Sequence, residues 1–298
     1  VVGERAVVDR FVVVDWSANS TPKLGRDSIW IAVHDRLGEP TVTNLPTRAV
    51  AEEFLVALIQ RDPNLTTLLG VDFSLGYPAG TAAGLGLDGT PWSAMWALLA
   101  ERITDDTGNA NNRFAVAAEL NKRLTGGPAP FWGCPPSKAS LHLGTTKPKP
   151  TEPPARGRLA PFRLAEDVLR AQGYRPFSSW QLLGAGAVGS QSLLGIARLH
   201  GLCRRFPDRV EVWPFSTGLR APTLAAGAVV VAEVWPSMID IGDTGGQVRD
   251  AVQVTATARW LADADAAGEL EALFSPALTP EATAIAVAEE GWVLGAVP

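Results

Sequence analysis

Apolar positions in this chain fall into continuous runs in some stretches and into helical spacing in others, and the changes between the two mark its elements. "RFVVVDWSANS" (10–20) is a β-branched run that stops at Asp15 and passes into small polar residues, the pattern of a central strand. After the turn-like "TPKLGRD" comes "SIWIAVHD", and after "RLGEP" comes "TVTNL". Three strands on short turn-rich links predict an antiparallel meander. In "TRAVAEEFLVALIQRD", Val50, Phe54, Leu58 and Ile59 approach helical spacing, and "LTTLLGVDFSLGYP" supplies another buried strand.

From about 81 to 200 the chain turns tryptophan-rich and helical, with "PWSAMWALLAERI" and "NRFAVAAELNKRL", interrupted by "TTKPKPTEPPARGRLAP". The organisation expected is one domain over 1–298, with a helical insertion over 81–205 that contains a proline-rich loop at 145–161. "RVEVWPF" and "AVVVAEVWPS" predict two more strands. A helix then follows in "GGQVRDAVQVTATARWLADADAAG", with Asp250, Val254, Ala258 and Leu261 on one face. A capping box between Thr244 and Gln247 would place Asp250 in the second turn. "GWVLGAV" is the last strand candidate, and no tandem repeat is present.

The run "LLGAGAVGSQ" (182–191) has the glycine spacing of a dinucleotide-binding fingerprint. Its context differs. A Rossmann domain alternates strand and helix from its start, whereas this chain opens with a meander. The next strand candidate carries Glu211 in its middle, not an acid at its end, and Gly195 and Gly201 weaken the helix that follows. A tight turn or close helix packing is the expected role of these glycines.

At 298 residues and 46% hydrophobic composition the chain can bury a large core. The net charge of −5 argues against a surface coated in cations for non-specific nucleic-acid binding. Cys134 and Cys203 cannot build a disulfide framework and show no metal-ligand spacing. "VVGERAVVDR" interleaves charge with short apolar pairs, and the longest apolar stretch is too short to span a bilayer. A cytoplasmic protein with no membrane partner is expected, and 21 arginines against 5 lysines hint at a GC-rich bacterial genome.

"VVVDWS", "LGVDFS" and "VVVAEVWPS" each place an acid where an apolar strand gives way to small polar residues or proline. Asp15, Asp72 and Glu233 are therefore predicted at strand carboxyl ends, where open α/β sheets bind ligands. Asp250 adds a fourth acid from the sheet-facing side of a helix. Carboxylates that converge in a partly buried site repel one another unless cations neutralise them. The histidines stand far apart at 34, 142 and 200, so an all-oxygen site for Mg²⁺ or Mn²⁺ is the expectation. Such ions serve phosphoryl chemistry. An Asp after a strand also commonly starts a turn, and an acid near a helix start interacts with the dipole. Glu211, after a half-polar segment, is assigned a solvated role.

Meander, helix, acid-tipped strand and acid-bearing final helix match the ribonuclease H-like fold, an α/β architecture whose mixed sheet has three antiparallel first strands and flanking helices. The chain resembles one family within it, the predicted RNase H-like nucleases catalogued as domain of unknown function 429. The resembling stretches are "VVDWS", "GVDFSLGYP", "NRFAVAAELN", "PFWGCP", "WQLLGAGAVGSQ", "VWPFSTG", "AEVWPS", "RDAVQVTATA" and "EEGWVLG", which together span nearly the whole chain. The resemblance implies an acidic site on Asp15, Asp72, Glu233 and Asp250. Trp16, Phe73 and Ser74 depart from the commoner family pattern, which marks a divergent branch.

The function expected is a divalent-metal-dependent phosphodiester hydrolase, a nuclease acting on nucleic acid or a nucleotide. Substrate contacts are assigned to Arg113, Lys138 and Arg163, with Asn112 as a further phosphate ligand. Lys147, Lys149, Arg156, Arg158 and Arg163 face a single acid, Glu152, in the proline-rich stretch. That stretch could track a phosphate backbone or be a solvated loop. Cys134 reads as a packed thiol, and Trp92 and Trp96 as core, although with Trp132 they could stack on bases. Two other classes stay open. An ATP-dependent phosphotransferase on the same topology would bind nucleotide near 184–189, and a non-catalytic binding module would keep the acids for structure.

Overall fold

The computed structural model describes residues 8–36, 38–148, 159–184 and 186–298. β1 (Arg10–Asp15), β2 (Ile29–Asp35) and β3 (Thr41–Leu45) form the meander, each pair antiparallel. α1 (Arg48–Arg61) then leads to β4 (Thr67–Val71), which runs parallel to β1. α1 starts where the Thr47 side chain accepts from the Val50 N–H. Its buried face is Ala51, Leu55, Leu58 and Ile59, so the expected stripe shifts by one position and Val50 faces solvent.

Between β4 and the next strand lie α2 (Thr81–Gly84), α3 (Pro91–Arg102), α4 (Arg113–Thr125), α5 (Leu164–Ala171) and α6 (Gly189–Arg205). β5 (Val210–Val212) and β6 (Val229–Glu233) follow, and β6 inserts between β4 and β5. The sheet order is β3-β2-β1-β4-β6-β5, antiparallel over its first three strands and parallel over the rest, the ribonuclease H-like topology pattern. α7 (Arg249–Ala267), α8 (Leu270–Phe274) and α9 (Pro280–Ile285) complete the chain, the last running into a π-helical turn at Ala286–Glu290.

Side-chain alternation along the strands gives the sheet two apolar faces. Val12, Val14, Leu69, Val71, Val229 and Val231 pack with α1, α3, α4 and α6. Phe11, Val13, Leu68, Val230 and Ala232 pack with α5, α7 and α8. The result is a three-layer sandwich whose parallel strands are covered on both sides, which explains the near-continuous apolar sequences of β1, β4 and β6.

Two expectations are corrected. "GWVLGAV" makes no strand, only a single bridge from Val293 to Glu233, because Gly291 and Gly295 turn at φ +73° and +80° and break the extended run. α7 begins at Arg249 after the N-cap Val248, so Asp250 lies in its first turn. Most of the proline-rich loop, including Lys149, Glu152, Arg156 and Arg158, lies outside the described residues. No helix among the described residues is long and apolar enough to cross a membrane.

Candidate functional site

Register and pleat decide which strand-end acids meet. Val14 pairs with Val71, so Asp15 and Asp72 stand side by side at the carboxyl ends of β1 and β4. By alternation both belong to the sheet face that carries Phe11, Val13 and Leu68, the face covered by α7. Glu233 pairs with Val71 instead, and falls in phase with Val229 and Val231 on the opposite face.

Asp15 and Asp72 are half-buried, and each carboxyl acts on the titration of the other. Burial pushes the Asp72 carboxyl up to about 6, against the pull of the Trp16 N–H, which donates to its Oδ1 at 2.8 Å. Burial, then the charge of Asp72, holds the Asp15 carboxyl well above the usual carboxylate range. Asp250 and Asp27 add to this repulsion. Asp27 sits in the β1–β2 connection at φ +54°, a left-handed conformation uncommon for a residue with a side chain, and its N–H donates to Asp250 Oδ2 at 2.8 Å. That bond ties the start of α7 to the meander.

The acids line a cavity of about 1210 Å³ that also receives Arg113, Ser20, Ser190 and Gln191. Arg113 is 7% exposed, and its guanidinium donates to neutral oxygens of Ser190 (2.9 Å), Ser20 (3.0 Å) and Asn111 (2.7 Å). The nearby acids are already taken. Asp105 holds the buried Arg48 at 2.8 Å and Arg198 at 2.9 Å, and Arg198 also holds Glu52 at 2.7 Å. Among the described residues Arg113 therefore has no carboxylate partner. Burial, then the charge of Arg48, pulls it down to about 10. Arg48 also donates at 2.8 Å to the Ser17 and Asn19 carbonyls, which fixes the loop leaving Asp15.

Glu233 lies in a different network. Both its oxygens accept from the fully buried Arg163, at 2.8 and 2.6 Å, and Oε2 also accepts from the Leu75 N–H at 3.1 Å. Arg163 further engages Glu166 through Nε at 2.9 Å and the Glu290 carbonyl at 2.8 Å. Burial alone would weaken the Arg163 charge, and Glu166 and Glu233 outweigh it. Burial pushes the Glu233 carboxyl up, with Arg163 opposing.

The structure thus brings Asp15, Asp72, Asp250 and Arg113 to one cavity, with Glu233 at its wall. Arg163 spends its donors inside the protein, and Lys138 sits exposed on a short 3-10 turn that does not line the cavity. The Asn112 side chain bonds Thr104 and Arg102 backbone at 2.9 and 2.8 Å. Cys134 is buried, its thiol pushed up by burial. Among the described residues no group of three or more His, Cys, Asp or Glu side chains stands in metal-holding geometry.

The glycine run packs closely. A Cβ on Gly189 would meet the Gln181 carbonyl at 2.7 Å, and one on Gly186 would collide with the Phe177 ring. Sequence reasoning missed Asp27, Ser20, Ser190 and Gln191, and only the "GRD" turn before the second strand offered a signal. No family model, curated protein or solved structure matches this chain.

Proposed function

We propose that this chain is a divalent-cation-dependent phosphodiester hydrolase acting on nucleic acid or a nucleotide, as its resemblance to predicted RNase H-like nucleases implies. The observation that carries this is the Asp15–Asp72 pair: adjoining carboxyls at neighbouring strand ends, forced above their ordinary pKa, in a cavity also lined by Arg113, which has no carboxylate hydrogen-bond partner among the described residues. Anionic substrate and cationic metal together would settle both imbalances.

The donor chemistry, not a closed three-acid cluster, favours a hard cation: Asp15 and Asp72, with Asp250 lining the same cavity, offer only oxygen, which suits Mg²⁺ or Mn²⁺, ions that keep several waters of their own. When bound, such a cation neutralises phosphate charge and activates water. Asp15 and Asp72 would hold the cation as carboxylates, so loading would require them to give up the protons that burial favours. Arg113 holds the substrate phosphate by charge-assisted hydrogen bonds, its fork fixed by Ser20, Ser190 and Asn111. Glu233 fits the set poorly, because both oxygens are committed to Arg163. Its part is positioning, by holding the Leu75 N–H in the chain that follows Asp72.

One observation favours a second reading. Gly184, Gly186, Val188 and Ser190, at the α6 N-terminus, line the same cavity as the acids, as an ATP-dependent phosphotransferase would need for its nucleotide. The test is hydrolysis of oligonucleotides and of a simple diester with Mn²⁺ or Mg²⁺, beside ATP turnover. Diester cleavage that Asp15→Asn and Asp72→Asn reduce to background supports the hydrolase. ATP turnover without diester cleavage supports the phosphotransferase.

A further inference from the structure

Beyond the acidic cavity lies a second groove of about 620 Å³, and the segment 173–177 lines both. Lys147, Arg170 and Arg175 line the groove together with Phe162, Tyr174 and Phe177, and among the described residues no carboxylate does. The three cations form no ion pair among the described residues, in a protein whose net charge is −5. Arg170 lies 4.3 Å from the centre of the Phe162 ring and Lys147 lies 6.0 Å from it.

The aromatics are placed unusually. Among the described residues Tyr174 and Phe177 are the only exposed aromatic side chains, at 36% and 42%, and they stand three residues apart on this one segment. They are also held. Pro176 between them is buried, the Phe177 ring covers Gly186, and the Tyr174 ring meets Trp235 edge-on at 5.5 Å. Trp235 lines the acidic cavity, so aromatic surface runs from the acids into the groove. Rings fixed in advance lose little freedom when a flat partner stacks on them.

We propose that this groove is the track for single-stranded nucleic acid, with bases stacked on Tyr174 and Phe177 and flanking phosphates on Lys147, Arg170 and Arg175. The proposal rests on the reading of the acids as a phosphodiester site, and names its substrate: an unpaired polynucleotide strand, not a free nucleotide. Stacking on aromatic faces together with a cationic path is how proteins bind strands without reading sequence. A duplex hides its base faces and would leave the two rings bare. A mononucleotide whose phosphate reached the acids would leave the groove cations unused.

The test is fluorescence anisotropy with labelled single-stranded DNA and RNA oligonucleotides of about 12 nucleotides, the full chain and excess EDTA, so that binding is read without cleavage. A duplex of the same sequence and a mononucleotide serve as competitors. Single strands of one or both sugars bind, the competitors displace them poorly, and the salt slope is about −2, for three phosphate contacts on a single strand. Tyr174→Ala and Phe177→Ala each weaken binding about 5- to 100-fold, and Arg170→Gln weakens it and flattens the slope. Thermal melting checks each variant, and Arg170→Gln, an exchange at an exposed position, decides the matter if Phe177→Ala unfolds. The groove assignment is overturned if single strands do not bind, if a mononucleotide competes equally, or if Arg170→Gln and Tyr174→Ala leave affinity unchanged. Strand binding in EDTA without any metal-dependent cleavage would overturn the hydrolase and leave the groove standing. Cleavage indifferent to the groove variants would do the reverse.

Discussion

Asp15 and Asp72 stand abreast at the ends of two parallel strands, and burial holds the carboxyl of each above its ordinary range. Two consequences follow from that one relationship, a pH dependence and an appetite for cations.

Without metal, stability should fall as pH rises. Both carboxyls bind their proton more tightly in the folded chain than in the unfolded one. Their stabilisation is complete below the ordinary aspartate value of about 4 and is lost as pH climbs through the folded-state values, which for Asp72 is about 6. Glu233 and Glu290, also raised by burial, act with the same sign, and His200, lowered by burial, acts against them. Urea midpoints measured in EDTA at pH 5 and pH 8 should show the higher stability at pH 5, and Asp15→Asn should shrink the difference. A midpoint that climbs with pH would be inconsistent with the crowded pair.

Arg163→Gln should lower stability by about 3–5 kcal/mol, because it leaves buried carboxylates without their cation. Calorimetric melting checks this. If Arg163 instead met substrate, the substitution would spare the melting temperature and weaken binding.

Arg113→Gln should behave in the opposite way. It removes a buried charge that has no acidic hydrogen-bond partner among the described residues, so the loss to folding should stay within about 1 kcal/mol. Substrate affinity should drop at least about tenfold, as expected when a charge-assisted contact is lost. Equilibrium binding and melting on the same preparation separate the two arginines.

Gly189→Ala should cost about 1–3 kcal/mol through the collision with the backbone of the 179–181 segment. Mn²⁺ affinity should persist in whatever fraction folds. An unchanged melting temperature would mean that the glycine run is not a packing device.

Much of the architecture was legible in the chain. The apolar runs marked every strand of the sheet, and one at "GWVLGAV" that does not form, while a meander before the first helix set the topology class. The placement of Asp15 and Asp72 at strand ends was legible too, because each closes an apolar run, whereas Asp250 was expected one turn deeper in its helix than it lies. Glu233 shows where such reasoning stops. "VVVD" and "VVVAE" differ by one residue, and with a side-chain period of two that residue sends the carboxylate to the other side of the sheet. Only the pairing of Val71 with Glu233 reveals this. Arg163 was likewise hidden, since Glu166 is only three residues away but Glu233 and the Glu290 carbonyl come from two distant stretches. Tyr174 and Phe177 gave no signal, because exposure of an aromatic is a property of the folded surface.

The experiment to do first is a titration of the metal-free protein with Mn²⁺ and Mg²⁺, read by calorimetry and by melting temperature, on wild type, Asp15→Asn and Glu233→Gln. Asp15 and Asp72 as the cation seat predict heat release and a rise in melting temperature in the wild type, which Asp15→Asn abolishes while starting from equal or higher metal-free stability. Glu233→Gln should keep the metal response. A wild type indifferent to both cations, or an Asp15→Asn protein that responds as the wild type does, would contradict the assignment of the acids.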